Sequence, residues 1–85
     1  MTMLDGNAAA GVLADVFGRD LTGAEARCAG CGATGPLATA LTLVGDQGVV
    51  VRCRDCDEVL LTVVRAEASC WVSMRGMAAI RIANA

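Results

Sequence analysis

The chain has 85 residues, of which 55 % are hydrophobic and 19 % charged, and its formal net charge is −2. A chain of this length has room for one domain, and its small core needs an additional staple such as a metal ion. The high hydrophobic content excludes a disordered charged tail. The negative charge disfavours a nucleic-acid-binding protein, which usually carries a clustered positive surface.

Composition also predicts a compartment. All seven basic residues are arginines, and alanine, glycine and valine dominate, a bias typical of bacteria with GC-rich genomes. Residues 1–13 lack the basic and long apolar regions of a signal peptide, and no window reaches the roughly 18 apolar residues of a membrane span. We therefore expect a cytoplasmic bacterial protein that binds no membrane. In a reducing compartment, paired cysteines favour metal binding or redox chemistry over disulfides.

The first predicted element is an amphipathic helix over residues 5–18. Asp5 or Asn7 can cap its N-terminus, and Gly18 is suited to its C-terminal cap. Apolar residues recur between them at helical spacing: Ala9, Val12, Leu13, Val16 and Phe17. We expect this stripe to pack on the sheet of the same domain, and the alternative is that it contacts a partner.

Residues 24–65 are predicted to form a zinc-ribbon-like core. An extended segment, 24–27, leads into a glycine-rich loop that holds the first cysteine pair. Two β-branched runs, 39–44 and 49–52, flank a Gly-Asp-Gln-Gly turn and so predict a hairpin that delivers the chain to the second pair. The run at 59–64 is apolar on both alternating faces, which predicts a central strand covered on both sides.

The C-terminal segment alternates between two faces. Cys70, Val72 and Met74 fall on one face, and the alternation continues through Ile80 and Ile82. This pattern predicts a β-hairpin over residues 69–83. The predicted fold is therefore a single small α+β domain over residues 1–85, with a zinc-ribbon-like antiparallel sheet and one N-terminal helix.

Two C-x2-C segments form the strongest motif of the sequence. Cys28 and Cys31 are separated from Cys53 and Cys56 by 21 residues, a spacing close to that of four-cysteine zinc sites. Two intervening residues allow a tight turn in which both thiolates point at one ion. The sequence therefore predicts that these four cysteines bind one structural zinc ion per chain.

The residues around the cysteines refine this interpretation. Gly32 suits the left-handed conformation that such a turn requires, and Asp57 stands at the matching place after the second pair, where it adopts that conformation at a modest cost. A zinc ion with four thiolates carries a net charge of −2, and the adjacent Arg27, Arg52 and Arg54 can offset part of it. Phosphate binding by these arginines is the alternative, and the acidic residues near them argue against it.

No catalytic combination is visible in the sequence, and we expect that the protein is not an enzyme. Four protein ligands fill a tetrahedral zinc site and leave no position for water or substrate. Histidine is absent, no serine or cysteine has an evident base, and no glycine-rich phosphate loop follows a strand.

Other uses of the cysteines stay open. Iron in a rubredoxin-like site uses similar turns but is usually surrounded by several aromatic residues, whereas this chain has only Phe17 and Trp71. A dithiol redox site needs one C-x-x-C near a helix N-terminus, and here two pairs lie on predicted loops. The fifth cysteine, Cys70, is predicted to be a small buried hydrophobe. Trp71 is predicted to pack in the core or at the sheet edge, with an exposed recognition residue as the alternative.

A resemblance to known proteins extends along the whole chain. The segments that carry it are Leu4-Asp5-Gly6-Asn7-Ala8-Ala9-Ala10-Gly11, Val16-Phe17-Gly18, Cys28-Ala29-Gly30-Cys31-Gly32, Val51-Arg52-Cys53-Arg54-Asp55-Cys56 and the tail containing Trp71. The chain resembles a family of short uncharacterised actinobacterial proteins, and its cysteine core is similar to zinc ribbons. The resemblance implies that the four paired cysteines are metal ligands, and it implies no activity. Asp57 departs from the glycine common after the second pair.

Three functions are compatible with the sequence. The first is a non-enzymatic interaction module that binds an unknown protein partner or forms a homodimer, because one helix covers only one face of a sheet whose strand 59–64 is apolar on both. The second is a transcription-associated zinc ribbon that contacts nucleic acid through arginines: Arg27, Arg52, Arg54, Arg65, Arg75 and Arg81. The third is an iron or dithiol redox protein.

Overall fold

The computed structural model describes residues 2–5, 8 and 10–83 of the chain. Its elements, in order, are β1 (Thr2–Asp5), α1 (Ala10–Phe17), β2 (Glu25–Cys28), β3 (Thr34–Pro36), β4 (Leu41–Gly45), β5 (Gly48–Arg52), β6 (Val59–Arg65), β7 (Cys70–Ser73) and β8 (Met77–Arg81). A 3-10 turn, Leu37–Thr39, connects β3 to β4. The predicted small α+β class is confirmed, and the strands form two antiparallel sheets instead of one.

The larger sheet has five strands in the order β1-β4-β5-β6-β7. The predicted hairpin is confirmed, since β4 and β5 pair from Leu41 opposite Arg52 to Gly45 opposite Gly48. Gly48 is required here, because a Cβ at this position would lie 1.8 Å from the carbonyl oxygen of Val63 on β6. The close approach of β5 and β6 thus depends on a residue without a side chain.

The smaller sheet has three strands in the order β3-β2-β8. The predicted C-terminal hairpin over residues 69–83 is wrong, because β7 pairs with β6 whereas β8 pairs with β2. The chain crosses from one sheet to the other at a turn in which the N–H of Met77 donates to the carbonyl oxygen of Met74. The alternation of side chains predicts a strand, but it does not indicate which strand pairs with it. The sequence therefore could not reveal this crossing.

The helix is shorter than its predicted range, 5–18. Asp5 belongs to β1 and so does not cap α1, which begins at Ala10. The other predicted cap, Asn7, lies outside the described residues. The apolar stripe does pack within the domain: Leu13 is 1 % exposed and lies in the core, with Val12 and Val16 packed against it. Burial of this stripe stabilises a helix that is too short to persist alone.

The core lies on one face of the larger sheet. Its central members from that sheet are Val49, Val51, Leu61 and Val63, which are almost fully buried. The prediction that strand 59–64 is covered on both sides is wrong, since Val59 and Val64 are exposed. Leu60 is buried beside Leu61 because of a bulge, at which Val51 pairs with Leu61 and Arg52 with Val59. The other face of the sheet has no covering element in the described part of the chain.

Residues of the smaller sheet and of the loops complete the core. They are Leu21, Ala24, Ala26, Cys28, Leu37, Ala40 and Cys53, with Met77 and Ile80 packed against them. Two cysteines of the predicted metal site are thus part of the hydrophobic cluster. Within the described residues, no helix has the length and hydrophobicity needed to span a membrane.

Candidate metal centre

The two C-x2-C segments come from different sheets. Cys28 is the last residue of β2 in the smaller sheet, and Cys53 directly follows β5 in the larger one. We call residues 28–33 the first turn and residues 53–58 the second turn. Each turn begins with a buried cysteine and carries its other cysteine, Cys31 or Cys56, at the surface. The predicted metal site therefore lies at the junction of the two sheets.

The four sulfur atoms form one compact cluster. The Sγ atoms of Cys28 and Cys56 are 3.5 Å apart, and those of Cys31 and Cys53 are 3.7 Å apart. All four lie within 4.8 Å of one another. A tetrahedral zinc site with Zn–S bonds of about 2.3 Å places its sulfurs about 3.8 Å apart. The cluster therefore fits a tetrahedral metal ion with little adjustment.

The backbone of the two turns follows the same pattern. In the first turn the N–H of Cys28 donates to the carbonyl oxygen of Ala33, at 2.9 Å, and that of Gly32 donates to Cys28, at 3.0 Å. In the second turn Cys53 donates to Glu58, at 2.7 Å, and Asp57 donates to Cys53, at 2.9 Å. The two bonds thus join residues at the same relative positions in both turns. The shared pattern directs two sulfurs from each turn to one point.

Both turns close with a residue in the left-handed region. Gly32 has a φ of 77° and Asp57 has a φ of 68°, and Asp57 is the one non-glycine residue with positive φ in the described part of the chain. The sequence interpretation of Asp57 is thus confirmed. Aspartate tolerates this conformation better than most residues with a side chain.

The thiols influence one another strongly. Backbone hydrogen bonds from Cys31 and Gly30 lower the pKa of Cys28 to about 7, against the opposing effect of desolvation. At Cys56 a backbone hydrogen bond from Glu58 lowers the pKa, but the neighbouring Cys28 sulfur and desolvation outweigh it and raise the pKa to about 12. Four thiols this close do not all ionise readily, because their negative charges would repel one another, and a cation that replaces their protons relieves that repulsion.

Residues outside the cysteine motif support the first turn. The N–H of Ala29 donates to the carbonyl oxygen of Gly76, in the β7–β8 turn, at 2.8 Å. Gly76 is packed so closely that a Cβ would lie 1.7 Å from the carbonyl oxygen of Val59. The Glu58 side chain lies against both Gly30 and Gly76. Sequence reasoning missed Gly76 and Glu58, and the one available signal was a glycine between two predicted strands.

The arginines beside the cysteines bind oxygen atoms of the backbone and of Asp57. Arg52 donates to the Asp57 carboxylate at 2.8 Å and to its carbonyl oxygen at 3.2 Å, and Arg54 donates to the carbonyl oxygen of Thr39. Arg27 is exposed on β2. Arg52, at the end of β5, therefore stabilises the second turn through its two hydrogen bonds to the left-handed residue, Asp57.

Cys70 and Trp71 lie on β7, apart from the sulfur cluster. The prediction that Cys70 is buried is wrong, since its side chain is exposed. Core packing is also wrong for Trp71, which lies at the sheet edge and is 75 % exposed. Both residues belong to β7, the edge strand, with which no further strand pairs in the described part of the chain.

Comparison with known protein families gives a match over the whole chain. A family model with the description "Family of unknown function (DUF6510)" matches residues 1–85, which is the whole chain. No curated protein and no solved structure matches the chain. A function for this chain is therefore inferred from its own structure.

Proposed function

Because this chain belongs to DUF6510, a family of unknown function, we propose its role from its own geometry: a non-enzymatic protein-interaction module held together by one structural zinc ion. In this role the cysteine cluster binds the metal, and the metal-stabilised domain presents a sheet face to a partner.

The sulfur cluster supports a structural metal. Four thiolates satisfy a tetrahedral ion completely and leave no position for substrate, as in structural zinc sites. Soft thiolate ligands select zinc or iron over magnesium or calcium. Zinc is favoured over iron because the chain has only two aromatic residues, Phe17 on α1 and Trp71 on β7, and neither belongs to a cysteine turn. A reducing compartment such as the cytoplasm keeps the thiols available to the ion.

The uncovered face of the larger sheet is the observation that carries the interaction role. We call it the open face; it comprises Leu41, Leu43, Val50, Thr62, Val64 and Trp71, all partly or fully exposed. The strand registers align these residues on the side opposite the core. Monomeric proteins rarely leave a contiguous apolar surface of this kind exposed unless it binds something.

The arginines give less support to nucleic-acid binding. Arg52 forms an ion pair with Asp57, and Arg81 forms one with Glu25, so two of the six candidate contacts already have acidic partners. Retention on DNA or RNA that falls steeply with salt would favour this alternative instead.

Native mass spectrometry of protein purified under reducing conditions tests the metal. We expect one zinc per chain, and we expect a strong chelator to unfold the domain, as followed by circular dichroism. Bound iron would favour an electron-transfer protein. A folded metal-free protein that stays folded in the chelator would contradict the structural role.

Affinity capture from cells that express the protein tests the interaction. Val64→Arg places a charge in the middle of the open face, where Val64 is 41 % exposed. The matched control is Ala79→Arg, on the exposed side of β8. We expect a specific protein, either a different protein or a tagged second copy of this chain, to bind the wild type and the control. This binding should be lost with Val64→Arg. Equal capture by all three would exclude the open face.

A further inference from the structure

The cysteine cluster combines two exposed and two buried residues. Cys31 and Cys56 are exposed, whereas Cys28 and Cys53 are buried, and each turn contributes one of each kind. A dissolved oxidant such as a peroxide therefore reaches one cysteine of each turn first. Because the thiolate is the form of cysteine that reacts with peroxides, a cluster held as four thiolates by a metal ion is open to oxidation at these two positions.

The sulfur contacts join each exposed cysteine to the buried cysteine of the other turn. The Sγ atom of Cys56 lies 3.5 Å from that of Cys28, and the Sγ atom of Cys31 lies 3.7 Å from that of Cys53. The two contacts share no sulfur, so both can become disulfides in one molecule. The opposite pairing between the turns would join the two buried cysteines to each other, and a peroxide reaches neither of these first. The contacts therefore favour one pairing between the turns.

We propose that the cysteine cluster is a redox-sensitive switch, in which a peroxide converts the zinc-bound form into a metal-free form with two disulfides, Cys28–Cys56 and Cys31–Cys53. This inference rests on the zinc site of the proposed function and adds its regulation. In both forms the first and second turns stay joined, and with them the two sheets. In a reducing compartment such disulfides are transient and serve to sense oxidants.

Each disulfide consumes one peroxide molecule. The exposed thiolate attacks a peroxide oxygen, the O–O bond breaks, and the sulfur becomes a sulfenic acid while a hydroxide ion leaves. The buried thiolate of the other turn then attacks that sulfur, the S–O bond breaks, and a second hydroxide ion leaves. The two sulfurs together lose two electrons, and the peroxide gains them. When both disulfides have formed, the cluster has no thiolate ligand left and releases its zinc ion.

Pairing between the turns also stabilises the oxidised form. Cys28 and Cys56 are 28 residues apart in the chain, and Cys31 and Cys53 are 22 residues apart. A disulfide that closes a long loop constrains the unfolded chain more than one that closes a short loop. Disulfides within each turn would close only short loops and would leave β2 and β5 without the link that the metal provides. We therefore expect the oxidised domain to stay folded without zinc.

Treatment of the zinc-loaded Cys70→Ser variant with hydrogen peroxide tests the proposal. This variant lacks the cysteine outside the cluster, so any disulfide within the chain joins two of the four ligands. We expect a small excess of peroxide to release one zinc ion per chain to an indicator dye. The circular dichroism spectrum should persist, and the oxidised chain should resist a chelator that unfolds the reduced chain. Retention of zinc, or an oxidised chain that is unfolded, would overturn the proposal.

Trypsin digestion of the oxidised variant, followed by mass spectrometry, identifies the pairing. Trypsin cleaves after Arg52 and Arg54, on either side of Cys53, so disulfides between the turns hold three peptides together. These peptides are residues 28–52, 53–54 and 55–65. Fragmentation between Cys28 and Cys31 then assigns the partner of each. A peptide 28–52 that is joined to no other peptide, or the opposite pairing between the turns, would refute the proposed disulfides.

The same variant, oxidised in chelator and urea, is the matched control for the geometry of the cluster. In an unfolded chain short loops close more readily than long ones, so we expect disulfides within each C-x2-C segment. The folded, zinc-loaded chain should give the pairing between the turns instead. The same pairing in both states would show that the cluster does not direct it and would overturn the proposal.

The switch and the proposed function fail separately. A chain that holds no zinc under reducing conditions, before any peroxide is added, would refute the zinc site and the switch together. A chain that binds zinc and keeps it in peroxide would refute the switch alone. The structural zinc ion and the interaction through the open face would stand in that case, because they are measured without an oxidant.

Discussion

The two cysteine turns have the same spacing and the same backbone hydrogen bonds, yet different residues stabilise them. The first turn has glycine at its left-handed position and rests on Gly76, in the β7–β8 turn. The second has Asp57 at that position and is tied by Arg52, which lies in the strand that leads to it. One turn is supported by distant backbone and the other by a neighbouring side chain.

This difference shows what a metal turn requires of its sequence. Two cysteines at the right spacing and a backbone that reaches the left-handed region suffice to direct the sulfurs. The means of stabilising that backbone is free to vary. The first turn therefore depends on the smaller sheet, whereas the second depends on local contacts at the end of β5. Variants of the two turns are expected to differ in what they disturb.

The largest effect is expected from loss of a ligand, and it should be equal in the two turns. Cys28→Ser and Cys53→Ser each leave three thiolates, and structural zinc contributes about 10 kcal/mol or more to folding, as much as the whole stability of a typical domain. We expect both variants to lose zinc and to be unfolded at room temperature by circular dichroism. Cys70→Ser is the control and should keep both properties. A variant of either turn that stays folded with zinc bound would contradict the requirement for all four thiolates.

The next effect should be confined to the first turn. Gly76→Ala places a Cβ 1.7 Å from the Val59 carbonyl oxygen, so the β7–β8 turn must shift and the acceptor for Ala29 shifts with it. Overpacking of this kind costs about 3 kcal/mol. Thermal unfolding at fixed free zinc measures it. Gly23→Ala, where a Cβ meets nothing within 4 Å, is the control and should change the melting temperature little. Equal melting temperatures for the two variants would mean that Gly76 does not support the turn.

The left-handed residues offer a third comparison. Gly32→Ala adds a side chain at a φ of 77° with open space around it, so its cost is that of the backbone alone, about 1 kcal/mol or a fall of about 5 °C in melting temperature. Asp57→Gly, introduced together with Arg52→Ala and compared with Arg52→Ala alone, should instead raise the melting temperature. If Gly32→Ala and Asp57→Gly both lower the melting temperature, the two left-handed positions are not equivalent, and the two turns are less alike than their hydrogen bonds indicate.

Local features of the fold were predictable from the sequence, and non-local ones were not. The β4–β5 hairpin, the extended segment before Cys28 and the left-handed Asp57 each depend on residues close together in the chain. The clustering of the four sulfurs followed from a spacing that allows two turns to face each other. The assignment of those sulfurs as zinc ligands stays a prediction, as does the cytoplasmic location.

The partners of β7 and β8 could not be predicted, because alternation is identical whichever sheet a strand joins. The exposure of Cys70 and Trp71 follows from that same uncertainty: a strand at an edge and a strand in the middle of a sheet have similar sequences. The bulge that buries Leu60 beside Leu61 could not be predicted, because the neighbouring residues of the run are also apolar. Strand β1 was missed, and its last residue, Asp5, was interpreted as a cap of the helix.

The smallest effect is expected from the ion pair that distinguishes the second turn. The Arg52 and Asp57 side chains are 30 % and 58 % exposed, and pairs in such positions contribute less than about 1 kcal/mol. Arg52→Ala should therefore lower the melting temperature slightly at low salt, and the difference should shrink as salt screens the pair. Arg27→Ala, beside the first turn and without a described ion pair, is the control. Loss of zinc in Arg52→Ala would instead show that the arginine holds the left-handed residue in place and that the second turn depends on it as the first depends on Gly76.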